Sequence, residues 1–296
     1  MTEHSIVLLG GPDSGKTNYV SRLWLALNAK KSVLVAPRNP VTIQYVEGGA
    51  EHILSGVFAP RSDTNSLPDD LTLDIPVRLA GSSNGREVLI SVPDVSGELW
   101  KEAVQRGDVS SDWMEALRQA SGALLFVRVL SKGNVSPLDW VNSADYLSWA
   151  GEGPPTNEEG EEIPIPTQVA LCQMLRFLDE TLTRVAGRKP RVAILITAWD
   201  LVDEHRRQYG PTRYLKEEFP LFGGRLSDCA TLDVRTFGVS IVGGDFDDPA
   251  FTEKFLDSSI DEMGYVVIDG PDDGVEGNQD LTMPVAWVIG PVFEDG

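Results

Sequence analysis

The sequence predicts an α/β fold, a three-layer sandwich in which a mostly parallel sheet with one antiparallel edge strand is covered by helices on both faces. Three observations carry this. Short apolar runs recur at residues 6–9, 71–79, 88–92, 123–129, 192–197 and 234–241, at intervals that suit alternating strands and helices. The first run leads into Gly10-Gly11-Pro12-Asp13-Ser14-Gly15-Lys16-Thr17 and then into a helix-forming stretch. The run at 71–79 alternates more than the others, with Asp74 and Arg78 among apolar neighbours, as an edge strand does.

Taken in order, the strand at 6–9 precedes a helix over 17–29, where Tyr19, Leu23, Trp24 and Leu27 recur at three- and four-residue steps. The 71–79 strand is expected to pair antiparallel with 88–92 across the turn at 81–85, Gly-Ser-Ser-Asn-Gly. Residues 151–166, rich in Gly, Pro and Glu, read as an exposed insertion. A second strong helix is expected over 168–186, with Val169, Leu171, Leu175, Phe177, Leu178, Leu182 and Val185 on its apolar face. No internal repeat is evident. One domain over 1–296 is therefore expected, with a core at about 5–241, insertions after the first helix and at 151–166, and an acidic C-terminal extension over 242–296.

The 296 residues, 42% of them hydrophobic, suffice for a sizeable core. A formal net charge of -20 disfavours nonspecific binding to nucleic acid or anionic lipid, so any steering of a nucleotide must be local. The acidic clusters at 158–162, 245–248 and 272–273 read as solvated loops. Cys172 and Cys229 read as free, buried thiols of a reducing cytoplasm. His4, His52 and His205 have no paired-ligand spacing, so no structural zinc is expected. No apolar run approaches the length of a membrane span, and the expectation is a soluble, cytoplasmic protein.

Residues 10–17 complete the pattern G-x-x-x-x-G-K-[ST], which wraps backbone N–H groups around β- and γ-phosphates at a helix N-terminus. Gly10 and Gly15 permit the tight path, with Pro12, Asp13 and Ser14 between them. Lys16 is expected on the phosphate oxygens and Thr17 on Mg2+. Binding of a nucleoside triphosphate is therefore expected, on a P-loop NTPase type of fold. The run at 88–92 ends in Pro93-Asp94-Val95-Ser96-Gly97-Glu98. At such a strand end Asp94 can hold Mg2+ through a water, and the Gly97 N–H can approach the γ-phosphate. The strand at 192–196 ends in Thr197-Ala198-Trp199-Asp200. The Asp200 carboxylate can accept from the N1–H and amine of guanine, which adenine cannot reciprocate. Equally, Asp200 can simply cap the next helix.

In this order and spacing, over about 5–241, the chain resembles the translation-factor-like and Ras-like (TRAFAC) class of GTPases. Within that class, the phosphate loop, the Thr197 to Asp200 tetrad and the ending Asp280-Leu-Thr-Met-Pro284 with Trp287 resemble the bacterial double-GTPase family. The resemblance implies a Ras-like core with insertions, and a role beside a second GTPase in conflict or defence systems. It also implies a switch I hydroxyl, for which Thr64 is best placed, with Ser62 and Ser66 as neighbours and Arg61 as a candidate arginine finger or a solvated side chain. Thr197 and Ala198 stand where Asn and Lys are usual, so Trp199 covers the base or lies in the core. Glu98 stands where many relatives carry a water-orienting glutamine, and its charge would repel the γ-phosphate unless a cation intervenes. Asp13 stands where potassium-using GTPases place an oxygen ligand, which implies K+-stimulated hydrolysis. Ser240, flanked by Gly238 and Ile241, is the choice for the last base-proximal loop.

The expected function is Mg2+-dependent GTP hydrolysis to GDP with switching, in which Lys16, Thr64, Gly97 and Glu98 act on the reaction and Thr17, Thr64 and Asp94 on the metal. Two rivals stay open: a nucleotide-binding scaffold with little turnover, and an ATPase or P-loop kinase. A protein partner is expected, with Trp100 and Trp113 either its contact surface or core.

Overall fold

The computed structural model describes residues 4–29, 31–60, 73–81, 87–92, 100, 103–104, 109, 111–136, 165–184, 187–271 and 274–294. In chain order, β1 (His4–Leu9) runs through the phosphate loop into α1 (Lys16–Ala29), followed by a short β2 (Leu34–Val35) and α2 (Ile43–Leu54). Then come β3 (Leu73–Leu79), β4 (Val88–Val92), α3 (Ser111–Gln119), β5 (Ala120–Arg128), α4 (Thr167–Thr181) and β6 (Arg191–Thr197). The short helices α5 (Glu204–Arg207), α6 (Pro211–Glu218) and α7 (Pro220–Ser227) lead to β7 (Asp233–Ser240). After these, α8 (Pro249–Leu256), β8 (Tyr265–Asp269), β9 (Val275–Asn278) and α9 (Met283–Glu294) close the described chain.

The strands form one sheet in the order β2-β3-β4-β1-β5-β6-β7-β8-β9. From β4 to β7 neighbours are parallel. Because the central strands are apolar on both faces, their residues divide between two cores. Val7, Leu9, Leu125, Val127, Ile194 and Ile196 face a layer containing α3, α4, α6 and α7. Ile6, Leu8, Leu124, Phe126 and Leu195 face the other way, toward α1 and α9. This is the three-layer α/β arrangement that the sequence predicts.

The alternating strand is β3, antiparallel to β4 with Ile75 opposite Ile90. Leu73, Ile75 and Val77 are buried, while the Asp74 carboxylate accepts from Ser91 Oγ at 2.6 Å. It is not the edge of the sheet, because β2 pairs outside it. At the opposite flank β8 pairs antiparallel to β7, and β9 to β8. The segment expected as an acidic extension thus supplies two strands and two helices, with Val285, Val288 and Ile289 in the core. Asp280 secures it: one carboxylate oxygen accepts from Thr282 N and Oγ1 at 2.9 and 2.6 Å, the other from Val33 N at 2.8 Å.

Several local expectations change. The second long helix stops at Thr181, and Leu182 turns extended (φ -56°, ψ 135°) so that Thr183 N can donate to Ala120 O at 2.8 Å. Leu182 is still buried, so its apolar spacing matched the core without being helical. Trp100 and Trp113 are 6% and 2% exposed and belong to the core. They offer no contact surface, because their large apolar area is already spent in packing. Cys172 and Cys229 are free but only half-buried. Among the described residues, no helix is long and apolar enough to cross a membrane.

Arg22, on α1, joins distant parts of the chain. Its guanidinium is buried and donates through Nε to Ile241 O at 3.1 Å, and through Nη2 to Ile260 O and Met263 O at 2.7 and 2.9 Å. Burial lowers its pKa to about 10, against the opposing pull of Asp261, so it is charged at neutral pH. Replacing it with methionine strands three carbonyls without a donor, which costs about 3 kcal/mol. Thermal denaturation of Arg22→Met is expected to begin roughly 6–10 °C lower; an unchanged transition would show that the tether is dispensable.

Candidate functional site

The phosphate loop is shaped by what its glycines exclude. A Cβ at Gly10 would lie 2.7 Å from Ser14 Oγ and 2.8 Å from Phe126 Cβ. Gly15 has φ +90°, and a Cβ there would lie 3.1 Å from Thr197 Oγ1. Asp13 is also left-handed, at φ 60°, a conformation that Asp tolerates better than most residues. Pro12 is exposed between these turns. The loop then enters α1, whose first-turn N–H groups lack helical acceptors and carry the positive end of the dipole. Ser14 Oγ is buried without a hydrogen-bond partner.

Lys16 is buried, and its ammonium donates to the carbonyls of Gly10 and, at 3.2 Å, Gly11. The cation therefore lies along the loop, where an anion held by the loop amides would meet it. Thr17 Oγ1 accepts from the Tyr45 hydroxyl at 3.3 Å, so α2 reaches the expected metal ligand. Next to it, Asn18 clamps the backbone of Ala59, accepting from Ala59 N at 2.9 Å and donating to Ala59 O at 3.4 Å. Asn18 thus holds the chain beside Thr17 at Ala59, five positions before Thr64, the expected switch I hydroxyl. Thr64, Arg61, Ser62 and Ser66 lie outside the described residues, as do Asp94, Gly97 and Glu98.

The end of β6 is fastened to the same loop. Thr197 Oγ1 donates to Ser14 O at 2.7 Å, so this hydroxyl positions the loop. Ala198 is left-handed (φ 57°), and a 3₁₀ turn at Trp199–Leu201 follows. That turn sends Trp199 inward: it is 1% exposed, packs edge-on to Tyr214 at 5.4 Å, and presses on Gly238. The expectation that Trp199 touches the nucleotide is corrected accordingly, because an indole in the core offers no face to a base.

Asp200 stays half-buried and accepts from Ser240 Oγ at 2.5 Å. Ser240 also accepts from Gly243 N at 3.0 Å. The two residues expected on the base side are thereby joined across β6 and β7, with fully buried Ser240 orienting the carboxylate. The helix after Asp200 is capped by Asp203, which accepts from Arg206 N at 3.0 Å, so Asp200 is not spent as its cap. Burial raises the pKa of Asp200, opposed by the Ser240 hydrogen bond and, more weakly, by Arg207. Ile241 spends its carbonyl on Arg22.

Asp13 is engaged by residues that sequence reasoning passed over. Its Oδ1 pairs with Arg128 Nη1 at 2.8 Å, and its Oδ2 accepts from Ser131 Oγ at 3.0 Å. The one available signal was a cation at the C-terminal end of an otherwise apolar strand. Tyr45 and Tyr265 carried no signal, since only α2 and pairing across the sheet bring them near the site, whereas Arg207 follows Asp200 by seven positions on α5.

The sequence profile of the Double-GTPase 1 family matches residues 7–288, and the chain belongs to that family. No curated protein matches. Among solved structures, it is similar to a bacterial selenocysteine-specific elongation factor, EF-Sec (15% identity, TM-score 0.33), covering 86% of this chain and 29% of that one. It is also similar to the signal recognition particle receptor SRb-GTP/SRX complex of Chaetomium thermophilum (13%, TM-score 0.39; 86% and 97% covered). A third is the Ski7 GTPase-like domain of S. cerevisiae, bound to GTP (14%, TM-score 0.41; 81% and 43% covered). The chain thus spans under a third of the elongation factor's length.

Because Thr197 Oγ1 braces the phosphate loop, Thr197→Val is expected to weaken GTP and GDP binding equally, by roughly tenfold, the worth of one buried hydrogen bond. Titration with fluorescent guanine nucleotides checks this, and a loss confined to one nucleotide would contradict it.

Proposed function

We propose that this member of the Double-GTPase 1 family binds GTP and GDP with Mg2+, hydrolyses GTP by in-line attack of water, and passes its nucleotide state to a protein partner as a switch. The observation that supports this best is the Asp200–Ser240 pair on adjacent strand ends, sharing β6 with the residue that braces the phosphate loop. A base-selecting carboxylate and a phosphate cradle then stand on one rigid support.

In this reading Lys16 and the loop amides stabilise charge on the β- and γ-phosphates. Thr17 offers a hard hydroxyl oxygen of the kind Mg2+ prefers, with Thr64 and Asp94 completing its protein ligands. Bound Mg2+ would neutralise phosphate charge. Thr64 and Gly97 sense the γ-phosphate, and Glu98 orients the attacking water. Asn18, by gripping Ala59, fixes where the switch I segment departs. We take the partner to be a second GTPase in a bacterial conflict or defence system, which the family resemblance implies. The K+ ligand role of Asp13 now competes with Arg128, which already supplies the positive charge. Turnover is therefore expected to be equal in KCl and NaCl, and a clear preference for K+ would restore that role.

The deciding experiment measures binding of fluorescent GTP, GDP and ATP analogues with Mg2+ to wild type and Asp200→Ala, alongside phosphate release. Guanine-selective binding that Asp200→Ala abolishes, with phosphate released by wild type, is the expected result. Selective binding without release would point to a scaffold, and equal ATP binding to an ATPase.

The raised pKa of Asp200 adds a pH dependence. Only the ionised carboxylate accepts from both guanine donors, so affinity is full above that pKa and falls as pH drops through it. The decline is expected at higher pH than for an ordinary carboxylate. Ser240→Ala removes a hydrogen bond that favours the ionised form and should move the decline higher still; superimposable profiles would refute this.

A further inference from the structure

We propose that Arg128 and Asp13 form a charge-neutral latch on the phosphate loop, and that Arg128 is the positioning residue that lets a loop carrying a carboxylate accept a triphosphate. The inference rests on the nucleotide site proposed above and adds to it a residue from β5. A carboxylate in the middle of a phosphate loop is a liability, because it repels the anion the loop exists to bind. The rest of the chain, at a net charge of -20, gives no general relief.

The structure meets this charge with a built arrangement. Arg128 Nη1 lies 2.8 Å from Asp13 Oδ1, with side-chain exposures of only 35% and 21%, so solvent screens the pair incompletely. Ser131 Oγ takes the other carboxylate oxygen at 3.0 Å. Both partners come from the end of β5, on either side of a tight turn at Leu130, whose φ is +49°. For a bulky apolar residue this conformation is strained. Burial does not drive it, since Leu130 is 74% exposed. What the turn accomplishes is to bring Ser131 back onto the carboxylate that Arg128 already holds. Gly133 N donates to Ser131 Oγ at 3.1 Å and Asn134 N to Ser131 O at 3.1 Å, which fixes the returning chain. The arginine also orients Asp13 sideways toward β5, so the carboxylate is both neutralised and tied down.

Removing Arg128 should therefore act through the charge of Asp13 and scale with the charge of the ligand. The test is calorimetric titration of wild type, Arg128→Gln, Asp13→Asn and the double variant with GTP, GDP and inorganic tripolyphosphate, at low and high salt. Arg128→Gln is expected to weaken GTP about tenfold, and GDP less, with the loss shrinking at high salt. Adding Asp13→Asn should bring the affinity back to within about threefold of wild type. A purely structural role for Arg128 would show neither the rescue nor the dependence on ligand charge, and either absence overturns the proposal. Arg128→Lys, which keeps the charge, covers the case in which the glutamine variant does not fold: it should bind GTP within about threefold of wild type, and a tenfold loss would count against the latch. Tripolyphosphate separates the two levels of inference. Binding of tripolyphosphate without preference for GTP over ATP would sink the guanine reading while leaving the latch to be judged on the same variants. Failure of wild type to bind any of the three would overturn both.

Discussion

The hydrogen bond from Thr197 to the Ser14 carbonyl fixes the geometry on which the site depends. Together with the hold of Arg128 and Ser131 on Asp13, it fastens a loop with left-handed residues at Asp13 and Gly15 to the sheet. Thr197 also fills the space that a Cβ at Gly15 would need, so strand end and loop are matched in shape as well as in bonding. Where the resemblance implies an asparagine at this position, threonine keeps a donor to the loop in a shorter side chain. The bond transmits the loop's position into β6, whose next turn carries Asp200. In the proposed reading, phosphate and base recognition are thus not independent sites but two outcomes of one strand end.

A second constraint is charge. The protein is strongly acidic, yet several cations at or near the site are held by specific acceptors: Lys16 by loop carbonyls, Arg22 by three backbone carbonyls, Arg128 by Asp13. Such pairing makes the local field differ from the global one, because half-buried charges are screened far less than those at the surface. It also explains why composition alone says little here. A net charge excludes classes of partner, but a few buried or half-buried cations can still build an anion site in an acidic molecule.

The sheet's flanks show how insertion and tail become structure. On one side, β2 and α2 occupy the stretch between the first helix and β3, and α2 brings Tyr45 to Thr17. On the other, β8, β9 and α9 extend and cover the sheet, and Arg22 reaches from α1 to the chain at Ile260 and Met263. The phosphate-loop helix is thereby held from its outer side by residues more than 200 positions away in sequence.

Much of this was legible in the sequence because it rests on local rules. Apolar runs of strand length, the spacing of residues 10–17, and an acidic residue at a strand end each follow from chemistry within a few residues, and they fixed the fold class, the phosphate loop and the choice of Asp200 and Ser240. Alternation in β3 was visible for the same reason, since a strand's two faces are written in its own residues. What sequence could not decide was which side chains meet. Trp199 was assignable to base or core only once the turn at Ala198 pointed it inward, and Leu182 satisfied a helical spacing from an extended segment. The tail read as an acidic extension because of its clustered carboxylates, while its apolar residues gain meaning only when β8 pairs with β7 and α9 packs on the sheet. Arg128 showed only as a cation at the end of an apolar strand, and its partner could not be read because Asp13 lies 115 positions away. Sequence determined the elements and the chemistry they carry; tertiary structure decided the pairings, because hydrogen bonds and burial depend on distances that spacing along the chain does not set.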